Sequence, residues 1–169
     1  MKRGFWIAYI FLLMAQLLLS NYFHVTPYIF LTLLPVMVLC IPIRMDTAGA
    51  MLVAGLSGLV IDFLSEGVLG LNALALIPVA YARKGIIGLI FGPELFARKE
   101  DFSIGRCGFG KVAVALLLSL LIFLVIYILA DGAGTRPLWF NGLRLGASLV
   151  ASFLLSLLTL GVLAPDPRK

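Results

Sequence analysis

Long apolar stretches recur from one end of the chain to the other, separated by short groups rich in Gly, Pro or charge. They run too long for the two-residue alternation of a half-buried strand, and most reach the roughly 20 residues that a helix needs to cross a bilayer. Segments of about 4–22, 27–43, 47–65, 69–91, 111–131 and 141–163 meet that description. The pattern predicts an all-α, polytopic membrane protein with about six transmembrane helices in one integral domain spanning residues 1–169.

Two of these segments depart from a plain apolar helix. The second contains Pro35, which predicts a kink. In the fourth, only residues 71–82 lie between Gly70 and the pair Arg83-Lys84, about 18 Å of helix at 1.5 Å per residue. Either the two cations snorkel to the headgroups, or the span is short and "GIIGLIF" lies along the interface. No internal repeat is evident, so an inverted-repeat transporter is not indicated.

Composition narrows the class. Of 169 residues, 62% are hydrophobic and 12% charged, and the mean hydropathy is +1.13. Soluble domains average about 45–50% apolar and about 25% charged, and six spans leave no room here for a soluble catalytic module. The net charge of +5 suggests a nucleic-acid binder until its positions are mapped. With the N-terminus cytoplasmic, Lys2, Arg3, Arg44, Arg83, Lys84, Arg98, Lys99, Arg106, Lys111, Arg168 and Lys169 fall inside, and only Arg136 and Arg144 fall outside. That asymmetry places both termini in the cytoplasm. Trp6 and Tyr81 suit the inner interface; Tyr22, Phe23, Tyr28, Trp139 and Phe140 suit the outer one. The Lys2-Arg3 start resembles a signal peptide, but no small-x-small cleavage site follows, so the segment is expected to be the first span.

Candidate chemistry is sparse. Cys40 and Cys107 fall near the reducing cytoplasmic face and are too few for a metal cluster. "GRCGFGKV" satisfies the opening of a phosphate-binding loop formally. However, Val112 stands where magnesium needs a hydroxyl, and a membrane span rather than a strand-loop-helix unit surrounds it. His24 has no neighbouring ligand residue. The sequence therefore points to no catalytic, cofactor-binding or metal-ligating residues, and to no nucleic acid as partner.

One carboxylate stands out. In "GLSGLVIDFLSEGVLGLNALAL" (55–76), Asp62 lies about four residues, or some 6 Å, short of the outer boundary, near the C-terminal end of its helix. Depth and macrodipole both disfavour an anion there, so a partner is expected. Gly55, Gly58, Asp62 and Ser65 share one helical stripe, which lets another backbone approach closely. Asn72 and Arg144 are the candidate partners, in a contact expected to fix spans three, four and six together. The sixth span has its own small-residue faces: Gly142/Gly146, Ala147/Ala151, and Ser148, Ser152 and Ser156.

The same stretch, preceded by "PYIFLTLLPVMVLCIPIRMDTAGAMLVAGL" and followed by "VAYARKGI", resembles the rod shape-determining MreD family. The matching positions are Pro27, Pro42, Gly58, Leu59, Asp62, Leu69 and Gly70, within residues 27–87. The resemblance implies a fold similar to the substrate-binding subunits of energy-coupling-factor transporters. It also implies a non-enzymatic, multi-pass component of the bacterial cytoplasmic membrane in the cell-elongation machinery. Family members bind the single-span protein MreC, and through it the MreB cytoskeleton and the peptidoglycan polymerase/transpeptidase pair. The early Arg83-Lys84 pair and the long basic loop 92–111 depart from the family pattern. The rival reading is the substrate-binding membrane subunit of an energy-coupling-factor-type transporter, which should enclose several convergent polar groups.

Overall fold

The computed structural model describes residues 3–22, 29–66, 68–92, 108–132 and 137–163, with no side-chain account for Arg3, Glu66 and 161–163. The protein is an all-α polytopic membrane protein. Its helices are α1 (Arg3–Tyr22), α2 (Leu34–Leu39), α3 (Thr47–Ile61), α4 (Leu71–Phe91), α5 (Phe109–Gly132) and α6 (Leu138–Leu163). Five are long and apolar enough to cross a membrane; α2, with six residues, is not.

The second segment therefore differs from the continuous helix expected over 27–43. Residues 29–32 precede the helix without helical structure, Leu33 already has helical backbone angles as its N-cap, α2 makes barely two turns, and irregular backbone follows from Cys40 to Asp46. Pro35 sits in the first turn of α2 rather than at a mid-helix kink, where its missing N–H costs least. Pro42 lies three residues past the end of α2, where no helical N–H is required of it. All six α2 residues are buried, and α2 packs against each of the five long helices. It forms a plug at the centre of the bundle. Residues 29–32 at extended rise, with Leu33 and α2 at helical rise, together cover about 24 Å, most of a hydrocarbon core of about 30 Å.

Irregular backbone at this depth needs partners from within the protein. At the lower end of α2, Arg83 supplies them. Its Nε donates to the Leu39 carbonyl at 3.2 Å and its Nη2 to the Ile41 carbonyl. Neither sequence expectation for this residue holds: α4 continues unbroken through Pro78 and Arg83 to Phe91, and Arg83 is 2% exposed rather than snorkelling. "GIIGLIF" is the last part of a full-length helix. A buried guanidinium near the C-terminal end of a helix meets carbonyls that otherwise lack donors, with favourable charge. Lys84 does reach outward, pairing at 3.5 Å with Asp46, which also caps α3 through the Thr47 N–H.

At the upper end, the extended residues run alongside α6. The Phe30 N–H donates to Ser148 Oγ at 2.8 Å and the Thr32 N–H to Ser152 Oγ at 3.1 Å, while Ser152 Oγ returns a bond to the Phe30 carbonyl. On the other side, Gln16 of α1 accepts from the Leu33 N–H at 2.7 Å and donates to the Leu31 carbonyl. The spacing is matched: two extended residues advance about 6.6 Å and four helical residues about 6.0 Å. Serines at every fourth position thus meet every second strand residue. Each hydroxyl does the work of a neighbouring strand.

Arg83→Leu is expected to lower stability in detergent by about 2 kcal/mol or more, because it strands two buried carbonyls. Lys84→Ala breaks an exposed pair and should cost no more than about 0.5 kcal/mol. Thermal unfolding of the two purified variants against wild type checks this. Equal losses would show that Arg83 does not hold the end of α2.

Candidate functional site at the junction of α3 and α4

α3 and α4 run antiparallel, with Asp46 beside Lys84 at one end and Asp62 beside Asn72 at the other. Their contacting faces are made of small side chains. Ala50, Ala54, Gly55 and Gly58 on α3 are buried, as are Ala73, Ala75 and Ala80 on α4, while Ser57 meets Tyr9 of α1. In lipid, such faces associate through close backbone packing rather than hydrophobic burial.

Gly58 is the point of closest approach. A Cβ there would lie 2.5 Å from the Ala73 nitrogen and 2.6 Å from its Cα, both backbone atoms that cannot swing aside. Gly55 has room: its Cβ would meet only the Ile77 side chain, at 3.5 Å. One turn beyond Gly58 on the same face, the first turn of α4 comes within reach of Asp62.

Asp62 is fully buried and receives four donors. Its Oδ2 accepts from the Gly70 N–H at 3.0 Å and the Ala73 N–H at 3.3 Å. Its Oδ1 accepts from the Asn72 side-chain amide at 2.9 Å, and the Asn72 N–H lies 3.0 and 3.1 Å from the two oxygens. Three of the four are backbone groups of the first turn of α4, which has no intrahelical acceptor for them. The N-cap of α4 is Gly70, at φ 99°, which carries no side chain to do the capping. Asp62 does it from the neighbouring helix. The positive φ reserves position 70 for glycine, and the turn it makes aims the Gly70 N–H at the carboxylate.

The electrostatic puzzle in the sequence is thereby resolved. α3 ends at Ile61 and passes into a π-helical turn at Asp62–Glu66, where Ser65 Oγ donates to the Ile61 carbonyl at 2.6 Å. The unfavourable end of α3 is offset by the favourable N-terminus of α4, whose partial positive charge faces the carboxylate. The structure brings together Gly55, Gly58, Asp62, Gly70 and Asn72.

It does not bring Arg144 there. Arg144 of α6 pairs with Asp131 of α5 at 2.5 Å, so the sixth span is tied to the fifth and takes no part in the Asp62 contact. Asp131 is nearer in sequence, at the C-terminal end of the adjoining helix, and Asp62 has no acceptor capacity left over. Gly142 and Gly146 lie elsewhere again, exposed on α6, with nothing within 4 Å of a Cβ built on either. Two sets of polar residues escaped the sequence reading. Gln16 is the one amide in the middle of the first span, Asn21 lying at its end, and the sequence presents Ser148 and Ser152 only as small packing residues. The four-residue serine interval was the available signal. Cys107, His24, Pro27 and Arg136 lie outside the described residues.

Gly58→Ala is expected to cost about 1–3 kcal/mol through overpacking, and Gly55→Ala far less. Asp62→Asn should be poorly tolerated for its near-isosteric shape, because its amide N–H₂ would face N–H donors. Asp62→Leu should be worse, leaving all four donors buried without an acceptor. Unfolding midpoints in one detergent rank all four variants. Gly58→Ala as stable as Gly55→Ala, or Asp62→Leu as stable as wild type, would contradict this geometry.

No family model, curated protein or solved structure matches the chain, so its function must be argued from the residues and their arrangement.

Proposed function

We propose that this protein is a non-enzymatic scaffold of the bacterial cytoplasmic membrane, a component of the cell-elongation machinery that couples the MreB cytoskeleton to peptidoglycan synthesis through an MreC-like partner. The observation that carries the scaffold reading is the complete use of Asp62. A substrate-binding carboxylate keeps acceptor capacity for its ligand, whereas this one is saturated by four donors of its own chain. Arg83, Gln16, Ser148 and Ser152 likewise bond the protein's own backbone. The buried polarity serves architecture.

The elongation role rests on the resemblance. Three of its matching positions, Gly58, Asp62 and Gly70, are the parts of the α3–α4 junction, which supports a motif kept for its fold. The transporter reading gains no comparable support. The groove beside this junction is lined by Leu56, Leu59, Val60, Phe63, Leu64 and Leu69 and offers no polar group to a small-molecule substrate.

The outer connectors are too small for a standard interface of roughly 800 Å² per partner, so a partner contacts the membrane-embedded helices, the basic loop 92–111, or both, and the helices offer a described surface. On α6 the serines face inward, while Gly142, Gly146, Leu143, Val150 and Leu154 are exposed. The glycines open a track on which a single transmembrane helix can pack closely. Trp139, 69% exposed, stands at the outer end of this face.

Because nothing lies within 4 Å of a Cβ at position 146, Gly146→Leu should leave folding and accumulation unchanged. Recovery of a co-purifying single-span protein should fall at least about tenfold. Unchanged recovery would remove α6 as the docking face. Co-purification of wild type with an ATPase module instead would replace the scaffold reading with the transporter one.

A further inference from the structure

The serine ladder of α6 has three rungs, and the extended segment uses two. Ser148 and Ser152 bond the backbone of Phe30 and Thr32. Ser156, one turn further, is fully buried, and its hydroxyl has no partner. Serines of these helices commonly return their hydroxyl to the carbonyl four residues back: Ser57 bonds Val53 at 2.7 Å and Ser119 bonds Ala115 at 2.9 Å. Ser156 does not.

The pattern of the second rung says what the third would hold. Ser152 Oγ accepts from the Thr32 N–H and donates to the Phe30 carbonyl, two residues back. Advanced by one rung, Ser156 Oγ would accept from the Leu34 N–H and donate to the Thr32 carbonyl. In the structure, Leu34 has instead turned into α2, and its N–H reaches Thr32 Oγ1 at 3.3 Å. That bond is long. Leu34 also precedes Pro35, and a residue before proline is sterically pushed away from helical backbone angles toward extended ones.

We propose that residues 29–37 form a two-state element, in which the extended segment gains a third rung on Ser156 as α2 gives up its first turn. The exchange gives up more hydrogen bonds than it makes, which keeps the second state minor. It breaks Leu34 N–H to Thr32 Oγ1, Met37 N–H to the Leu33 carbonyl, and the bond from the Val38 N–H to the Leu34 carbonyl in the first helical turn. It makes Leu34 N–H to Ser156 Oγ and Ser156 Oγ–H to the Thr32 carbonyl. Arg83 holds the other end of α2 in both states, so the change is confined to its first turn. Since α2 touches every long helix, unwinding that turn alters packing at the centre of the bundle. This inference concerns the fold and does not depend on the scaffold reading.

The test is ¹⁵N relaxation dispersion and saturation transfer on the full-length protein in nanodiscs, which together detect minor states from microseconds to tens of milliseconds. Wild type should show exchange at Leu34, Val36 and Met37 and none at mid-helix amides of α5. Ser156→Ala removes no bond from the main state, yet should lower the minor population at least about fivefold, because it deletes both bonds of the third rung and one net hydrogen bond alone is worth that factor. Ser156→Thr, which keeps the hydroxyl, should retain the exchange. Flat profiles in wild type, exchange unchanged by Ser156→Ala, or exchange lost equally in both variants would each overturn the proposal.

Discussion

Hydrocarbon offers no hydrogen bonds, so every backbone N–H and C=O in this bundle must find its partner inside the protein. A continuous helix meets that demand in its interior but not at its ends, and an extended segment does not meet it at all. The architecture follows from how those gaps are filled. Asp62 takes up the first turn of α4, Arg83 the carbonyls at the end of α2, and Gln16 with two serines the strand between α1 and α2. Each filler belongs to a different element from the gap it fills. These bonds tie the bundle together while they satisfy it.

Charge and geometry are mutually dependent at the α3–α4 junction. An isolated buried carboxylate would be costly, and so would a buried helix N-terminus without an acceptor. Together they offset one another, but only within hydrogen-bond distance, and that distance exists because position 58 has no side chain. Gly58 gives the Asp62 carboxylate no donor, its carbonyl only accepting from the Asp62 N–H, yet it sets the separation on which that carboxylate depends. Van der Waals contact here decides an electrostatic outcome.

The long helices were legible because their signal is simply length and apolarity, which lipid rewards without regard to tertiary detail. Asp62 with Asn72 was legible too: a carboxylate in an apolar run announces a partner, and its glycine stripe names the face. The second segment was not. Its residues are as apolar as those of its neighbours, and what holds it extended lies on α1 and α6, over a hundred residues away in the second case. Hydropathy records that a segment is buried, not which backbone it has adopted. Arg83 departs from expectation because a cation near an interface snorkels by default; here an internal helix C-terminus put bare carbonyls within its reach. Arg144 was assigned to Asp62 by its side of the membrane alone, which cannot choose between two carboxylates.

The strand also imposes an order on biogenesis. Phe30 and Thr32 bond serines 118 and 120 residues further along the chain, whereas their Gln16 support lies only 15 to 17 residues from its partners. At about 5–20 residues per second, roughly 6 to 24 s of synthesis separate the second segment from α6. During that interval its N–H groups have one glutamine to turn to. The nascent segment must wait beside the insertion machinery, remain near the headgroups, or coil into a temporary helix that α6 later pulls straight. A helix made more than a hundred residues later is the one that completes the second segment.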